Sequence, residues 1–260
     1  MLFPPMPIQR LSGQAVTIED ISLEGCRIPD GMDLGQLLAA VGRLHQCGLR
    51  RVSVAPLPSH VTKGFTWRAW ESSPDPARIS TPVDSIAAGR DAIAARPDVI
   101  ALRIRADDRQ KSLDEMLEVM EAIPPDIAVS VWIEAAFGKA GSRAENEAAI
   151  DICDLFASNG AQELILSDTG GQAGPLLVEQ GCDGLRERWQ GKHVVLELSD
   201  TYGMASANII AAMAAGIDQF RFPVAQRDSA GHLGHAALLR VLSAMECPTG
   251  IHADRLRGQW

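Results

Sequence analysis

Short apolar runs, each followed by a stretch with helical spacing, repeat without a break over most of the 260 residues. Val16 to Leu23 reads as a first strand. Leu34, Leu37, Leu38, Val41 and Leu44 then recur at helical intervals until Gly48 stops the helix. Arg51 to Ala55 is a second strand, followed by a long loop from Pro56 to about Ala77 that holds Trp67 and Trp70. Loops of that length often line sites. A weak strand at Arg78–Ser80 leads to a helix from about Pro82 to Ala95, and Asp98 to Ile104 is a clear buried strand ending at Arg105. Ser112-Leu113-Asp114-Glu115 has the pattern of a capping box for the next helix. Ile127 to Ile133 is a strand ending at Glu134, and its helix stops at Asn159-Gly160. Glu163 to Ser167 runs into Asp168-Thr169-Gly170-Gly171, before a helix from about Pro175 to Trp189. Val194 to Leu198 precedes a helix that starts near Ser206 and ends at Gly216. Gln219 to Pro223 precedes a final helix from about Gly234 to Met245.

Runs that are apolar throughout, rather than alternating, indicate strands buried on both faces and hence a parallel sheet. Eight such strand–helix units in this length predict an α/β chain of the TIM (β/α)8 barrel type. The expectation is one domain over residues 1–260, with 1–15 as a lead-in and 247–260 as a tail. An open doubly wound sheet is the alternative, and no Gly-x-Gly-x-x-Gly follows the first strand.

Composition narrows the partners. The net charge is −9, with both signs mixed along the chain and no basic tract, which argues against nucleic acid. No apolar run reaches membrane-spanning length, and the start of the chain lacks the pattern of a signal peptide. The five cysteines, Cys26, Cys47, Cys153, Cys182 and Cys247, form no Cys-x-x-Cys pair and are odd in number, which suggests reduced thiols and a cytoplasmic protein.

Barrels of this kind carry their chemistry at the C-terminal strand ends. Glu197-Leu198-Ser199-Asp200-Thr201-Tyr202-Gly203 is such an end, and Leu164 to Pro175 contains another. The segment Ser167-Asp168-Thr169-Gly170-Gly171-Gln172-Ala173-Gly174-Pro175 is similar to the "GDTxGxxxP" segment of hydroxymethylglutaryl-CoA lyases. Asp200-Thr201-Tyr202-Gly203-Met204-Ala205-Ser206-Ala207-Asn208 resembles that family's "HDTYGxAxAN" segment. Both lie at strand ends, in the family's order, and the resemblance extends more thinly from about Val16 to Met245. It covers the wider superfamily of metal-dependent TIM-barrel lyases and aldol-type synthases.

The resemblance implies C–C bond lyase or synthase chemistry through an enolate. The substrate would be a hydroxy acid or keto acid, free or as an acyl-CoA, beside a divalent cation (Mg, Mn or Zn) that takes up the developing charge. It also implies a homo-oligomer, since dimers are common among such barrels. The family's HxH metal ligands fall at Glu197 and Ser199. Its first-strand aspartate falls at Glu24, its second-strand acid at Ser53, and its late asparagine near His232. An alternative alignment uses Asp30 in place of Glu24. Leu23 stands where the family has its enolate-stabilising arginine, and Arg27 or Arg105 is the candidate replacement. The family's loop cysteine has no counterpart between Val224 and Gly231.

The expected metal set is therefore Glu24, Glu197 and His232. The catalytic candidates are Glu24, Arg27, Arg105, Asp168, Glu197 and Asp200, with Glu134, Thr169, Ser199 and Tyr202 as substrate contacts. Each has a plainer reading. Asp168 and Asp200 suit turn or helix caps. Tyr202 suits a packing residue, and Arg105 suits a partner of Asp107 or Glu134. Glu197 is the hardest to read as merely structural, because a carboxylate that interrupts an apolar strand needs a partner or a task. Loss of the HxH pair, the arginine and the cysteine also raises the alternative of a barrel that has lost this chemistry and serves as a binding protein.

Overall fold

A computed structural model describes residues 11–24, 33–58, 64–70, 76–105, 110–137, 143–224, 231 and 233–256. Its parallel strands close into a barrel in chain order. They are β1 (Thr17–Leu23), β2 (Arg51–Val54), β3 (Arg78–Val83), β4 (Val99–Arg105), β5 (Ala128–Glu134), β6 (Glu163–Asp168), β7 (His193–Leu198) and β8 (Gln219–Phe222). The helices are α1 (Leu34–Gln46), α2 (Trp67–Trp70), α3 (Ile86–Ala95), α4 (Gln110–Ala122), α5 (Arg143–Ser158), α6 (Pro175–Cys182), α7 (Leu185–Arg188), α8 (Ala205–Ala214), α9 (His235–Ala244) and α10 (Ala253–Leu256). The barrel expected from the sequence is thus the barrel observed. No helix among the described residues is long and apolar enough to cross a membrane.

Four local expectations change. β3 runs on through Pro82 to Val83, so the helix begins later, at Ile86, capped by Ser85. Pro82 is tolerated because pairing with β2 ends at Ser80, so its missing N–H falls beyond that ladder. Helix α4 starts before Ser112, which lies inside its first turn rather than at its cap. The helix expected from Pro175 to Trp189 is two helices, broken at Asp183 and at Gly184, whose φ of 73° is left-handed. The long second loop contains α2, in which Trp67 is buried.

The barrel wall divides two different interiors. Outward-facing residues such as Ile100, Leu102, Val131, Ile133, Leu164, Leu166, Leu196, Leu198 and Phe220 join the helices in one continuous apolar core. Inside, Ala101, Trp132, Ile165 and Val195 form a separate small cluster. The remaining inward positions are largely polar or charged: Glu19, Arg51, Ser53, Ser80, Ser130, Glu163, Ser167, Glu197 and Arg221 are all buried. At the N-terminal end, lead-in and tail close on each other, Gly13 donating to the Glu246 carbonyl and Val16 to that of Pro248.

Candidate functional site

Barrel shear sets Ser167, Glu197, Arg221, Glu19, Arg51 and Arg78 side by side as successive register partners, from β6 through the β8–β1 closure to β3. Charge alternates along the middle of this row, which is how so many ions tolerate burial. Arg221 is its centre and is 0% exposed. Its Nε donates to Glu19 Oε2 at 3.1 Å and its Nη1 to Glu197 Oε2 at 2.9 Å. Its Nη2 pairs with Glu24 in the turn after β1 and approaches Ser53 Oγ at 3.4 Å. The guanidinium carbon also lies 4.4 Å from the centre of the Trp132 ring. Deeper in the barrel, Arg51 donates to Glu163 at 2.5 Å and to Gln219 at 3.0 Å, and Ser130 donates to Glu163 at 2.7 Å.

The three carboxylates around Arg221 are not equivalent. Burial alone would raise Glu19, yet Arg221 and Arg51, with a hydrogen bond from Ser80, hold it below its ordinary range. Burial raises Glu24, with Arg221 opposing. Burial also raises Glu197, to about 7; Arg221 opposes this, and the Glu24 charge adds to it. Ser167 Oγ donates to the other Glu197 oxygen at 3.2 Å. For Arg221, burial works against the charge, and Glu24, Glu19 and Glu197 together outweigh it, so its pKa is raised. The centre therefore holds a permanent cation in Arg221 and, in Glu197, a carboxyl whose pKa is raised to about 7, close to that of a general acid or base working near neutrality.

Above this centre the mouth carries a second pair. Arg103 Nη2 donates to Glu134, and its guanidinium carbon lies 4.7 Å from the Trp132 ring centre. The Arg103 side chain is 40% exposed, whereas Glu134 is buried. Ala135 follows with a left-handed φ of 53°, an unusual backbone for a residue with a Cβ. Its N–H donates to Thr169 Oγ1 at 3.1 Å, and the Ala136 N–H to the Ser167 carbonyl at 2.9 Å, so β6 fixes the turn that ends β5.

The residues expected from the sequence separate accordingly. Glu24 and Glu197 come together on Arg221, and Glu134 lies nearby through Trp132 and Arg103. Asp168 is a buried turn acceptor: its two carboxylate oxygens receive the Gln172 and Ala173 N–H groups at 3.2 and 3.1 Å. Burial raises its pKa against those bonds. Asp200 accepts from the Ala205 N–H at 2.8 Å at the start of α8. Ser199 is buried against the Thr169 carbonyl, 3.4 Å away. Tyr202 is 63% exposed, contrary to its reading as a packing residue. Arg105 is exposed at the end of β4, and the arginine that pairs with Glu134 is Arg103. Arg27, Asp30, Asp107 and His232 lie outside the described residues.

Sequence reasoning passed over Glu19, Arg103 and Arg221. A signal for Arg221 was present: it stands between Phe220 and Phe222 in a strand whose neighbours face the outer core, so its own side chain must point into the barrel.

A divalent cation does not fit between Glu24 and Glu197 as they stand, because both carboxylates already bind a guanidinium, and Ser53 and Ser199 offer only neutral hydroxyls. Among the described residues no group of three or more His, Cys, Asp or Glu side chains is arranged to hold a metal ion.

Comparison with known proteins agrees with the geometry of the barrel. Residues 98–253 match the HMGL-like family model. A Methanopyrus kandleri protein provisionally named (R)-citramalate synthase is 29% identical over 239 residues, covering 87% of this chain and 43% of its own length. Hydroxymethylglutaryl-CoA lyase of Bacillus subtilis is 26% identical over 160 residues, covering 56% of this chain and 53% of its own. The chain thus aligns with about half the length of these curated relatives. Among solved structures, an Acinetobacter baumannii HMG-CoA lyase in complex with coenzyme A and 3-methylmalate superposes with a TM-score of 0.77 at 15% identity, covering 93% of this chain and 88% of that one.

Proposed function

The chain belongs to the HMGL-like family, and from that premise we propose that it makes or breaks a C–C bond through an enolate; its relatives are named as a citramalate synthase and a hydroxymethylglutaryl-CoA lyase. The substrate class is a hydroxy acid or keto acid, free or as an acyl-CoA thioester. The observation that carries the reading is the Glu24–Arg221–Glu197 centre at the C-terminal strand ends, with Glu197 able to exchange a proton near neutrality. In the cleavage direction a base takes the substrate hydroxyl proton. The electron pair of the C–C bond passes to the neighbouring carbonyl as an enolate, the hydroxyl carbon becomes a new carbonyl, and the enolate carbon takes a proton back. Glu197 is the proton-transfer group in this reading, with Glu24 beside it. A carboxyl protonated near pH 7 also serves as hydrogen-bond donor to an enolate oxygen. Arg221, saturated by its three carboxylates, positions this pair without touching the substrate. Arg103 and Arg105 at the mouth supply positive charge for the acidic end of the substrate.

The test is a panel of hydroxy acids and their CoA thioesters, with keto acid plus acetyl-CoA for the reverse direction, followed by proton NMR for cleaved or condensed product. Turnover by wild type that falls by a hundredfold or more in Glu197→Gln supports the reading; equal turnover in the two proteins overturns it.

A second reading, a barrel that has lost the reaction and binds a ligand or partner, is favoured by one observation: the most buried cation of the site is wholly engaged by protein carboxylates. Binding of a panel member without turnover, unaffected by Glu197→Gln, selects it.

A further inference from the structure

We infer that the Arg221 guanidinium is the resident cation of this site and stands in the place of a divalent metal. The resemblance places Glu24, Ser53, Glu197, Ser199 and the neighbourhood of His232 around the metal, and one side chain from β8 touches the first three. Glu19, on the strand that closes the barrel against β8, adds a further carboxylate. Carboxylate oxygens from β1, the turn after it and β7 surround the guanidinium; oxygen donors suit Mg²⁺ or Mn²⁺, but as they stand they are arranged around Arg221 and not for a metal ion. Here the charge at their centre is covalently attached, planar, and 0% exposed. A guanidinium is not removed by chelators and does not lose its proton in a protein. Its rigid fork fixes the directions of the surrounding carboxylates, as coordination geometry would fix metal ligands. Its single charge does not match a divalent ion, so the replacement keeps the geometry of a cation-centred site while leaving a more negative one. The inference concerns cation occupancy alone and stands whether or not the proposed reaction is correct.

Removing the guanidinium should uncover the metal site. Chelator-stripped wild type and Arg221→Ala are titrated with Mn²⁺, free Mn²⁺ being followed by electron paramagnetic resonance and folding by thermal midpoint. The expected result is that wild type leaves Mn²⁺ free and its midpoint unmoved. Arg221→Ala takes up about one Mn²⁺ per chain, and its midpoint rises by several degrees with the metal through mass action. Adding Glu197→Gln to Arg221→Ala should remove the uptake, and Arg221→Lys, which keeps a cation, should behave as wild type. Uptake by wild type that is lost in Glu24→Gln or Glu197→Gln overturns the inference. So does a folded Arg221→Ala that takes up no Mn²⁺, and so does an Arg221→Ala that stays unfolded with Mn²⁺ present. None of these measurements involves a substrate, so failure here is distinct from failure of the proposed reaction.

Discussion

Glu197 and Arg221 are register partners across the β7–β8 junction and are joined by a 2.9 Å bond from Nη1 to Oε2. Both side chains are buried, so neither charge has solvent to fall back on. Such a pair contributes little net stability against an apolar substitute, but half of it is costly to leave behind.

Replacing Arg221 with methionine is therefore expected to destabilise the fold by about 3–5 kcal/mol, because it strands Glu19, Glu24 and Glu197 together. Urea denaturation would show the loss as a lower midpoint. A cost under about 1 kcal/mol would mean that Arg221 behaves like a solvated surface ion and does not hold these carboxylates.

Stability should fall as pH rises from about 4.5 to about 7. Glu197 has its pKa raised from 4.5 to about 7 on folding, so in that interval the folded chain keeps a proton that the unfolded chain has lost. Its stabilising contribution is complete below the lower value and gone above the higher one, amounting to about 3 kcal/mol at most. Glu24, also raised, acts in the same direction; Glu19, lowered, acts the opposite way, below its ordinary pKa. Glu197→Gln should flatten the decline measured by denaturant titration at stepped pH. An unchanged slope would show that Glu197 is not the titrating group.

Asp168 is expected to matter for folding and not for proton transfer. Its carboxylate closes the turn after β6 by accepting the Gln172 and Ala173 N–H groups. Asp168→Asn should cost about 1–2 kcal/mol while leaving the pH dependence of activity in place. A shifted pH profile with unchanged stability would return Asp168 to the catalytic set.

Gly48 stops α1 with a φ of 89°, and a Cβ there would sit 2.1 Å from the Gly250 carbonyl oxygen. Gly48→Ala should cost about 2–3 kcal/mol through the left-handed backbone and the clash with the tail. Thermal denaturation measures it, and a neutral substitution would mean the C-terminal segment does not close on this turn.

The contrast between Gly48 and Arg221 shows what the sequence made legible. Gly48 ends a periodic run, so local spacing alone identifies the stop; the tail that packs on it does not show. Each strand is likewise marked by its own apolar run, and the barrel follows from the rhythm of the runs. Glu197 could be singled out because a carboxylate interrupted such a run. Arg221 and Glu19 interrupt theirs in the same way, but they lie 202 residues apart and meet only because β8 closes against β1. Spacing along the chain carries no trace of that closure. Asp168 and Asp200 show the converse: they sit in the segments most like the family, where the structure gives them turn and helix-start bonds to backbone N–H groups.

Solvent exchange into a keto acid tests most directly whether this centre forms an enolate without metal. The protein, treated with chelator, is incubated in deuterium oxide with a panel of keto acids, and loss of the protons next to the carbonyl is followed by proton NMR. Catalysed exchange should persist under chelation and fall by a hundredfold or more in Glu197→Gln. Exchange that disappears with the chelator and returns with added Mg²⁺ or Mn²⁺ would contradict metal-free enolate formation, as would the absence of catalysed exchange across the whole panel.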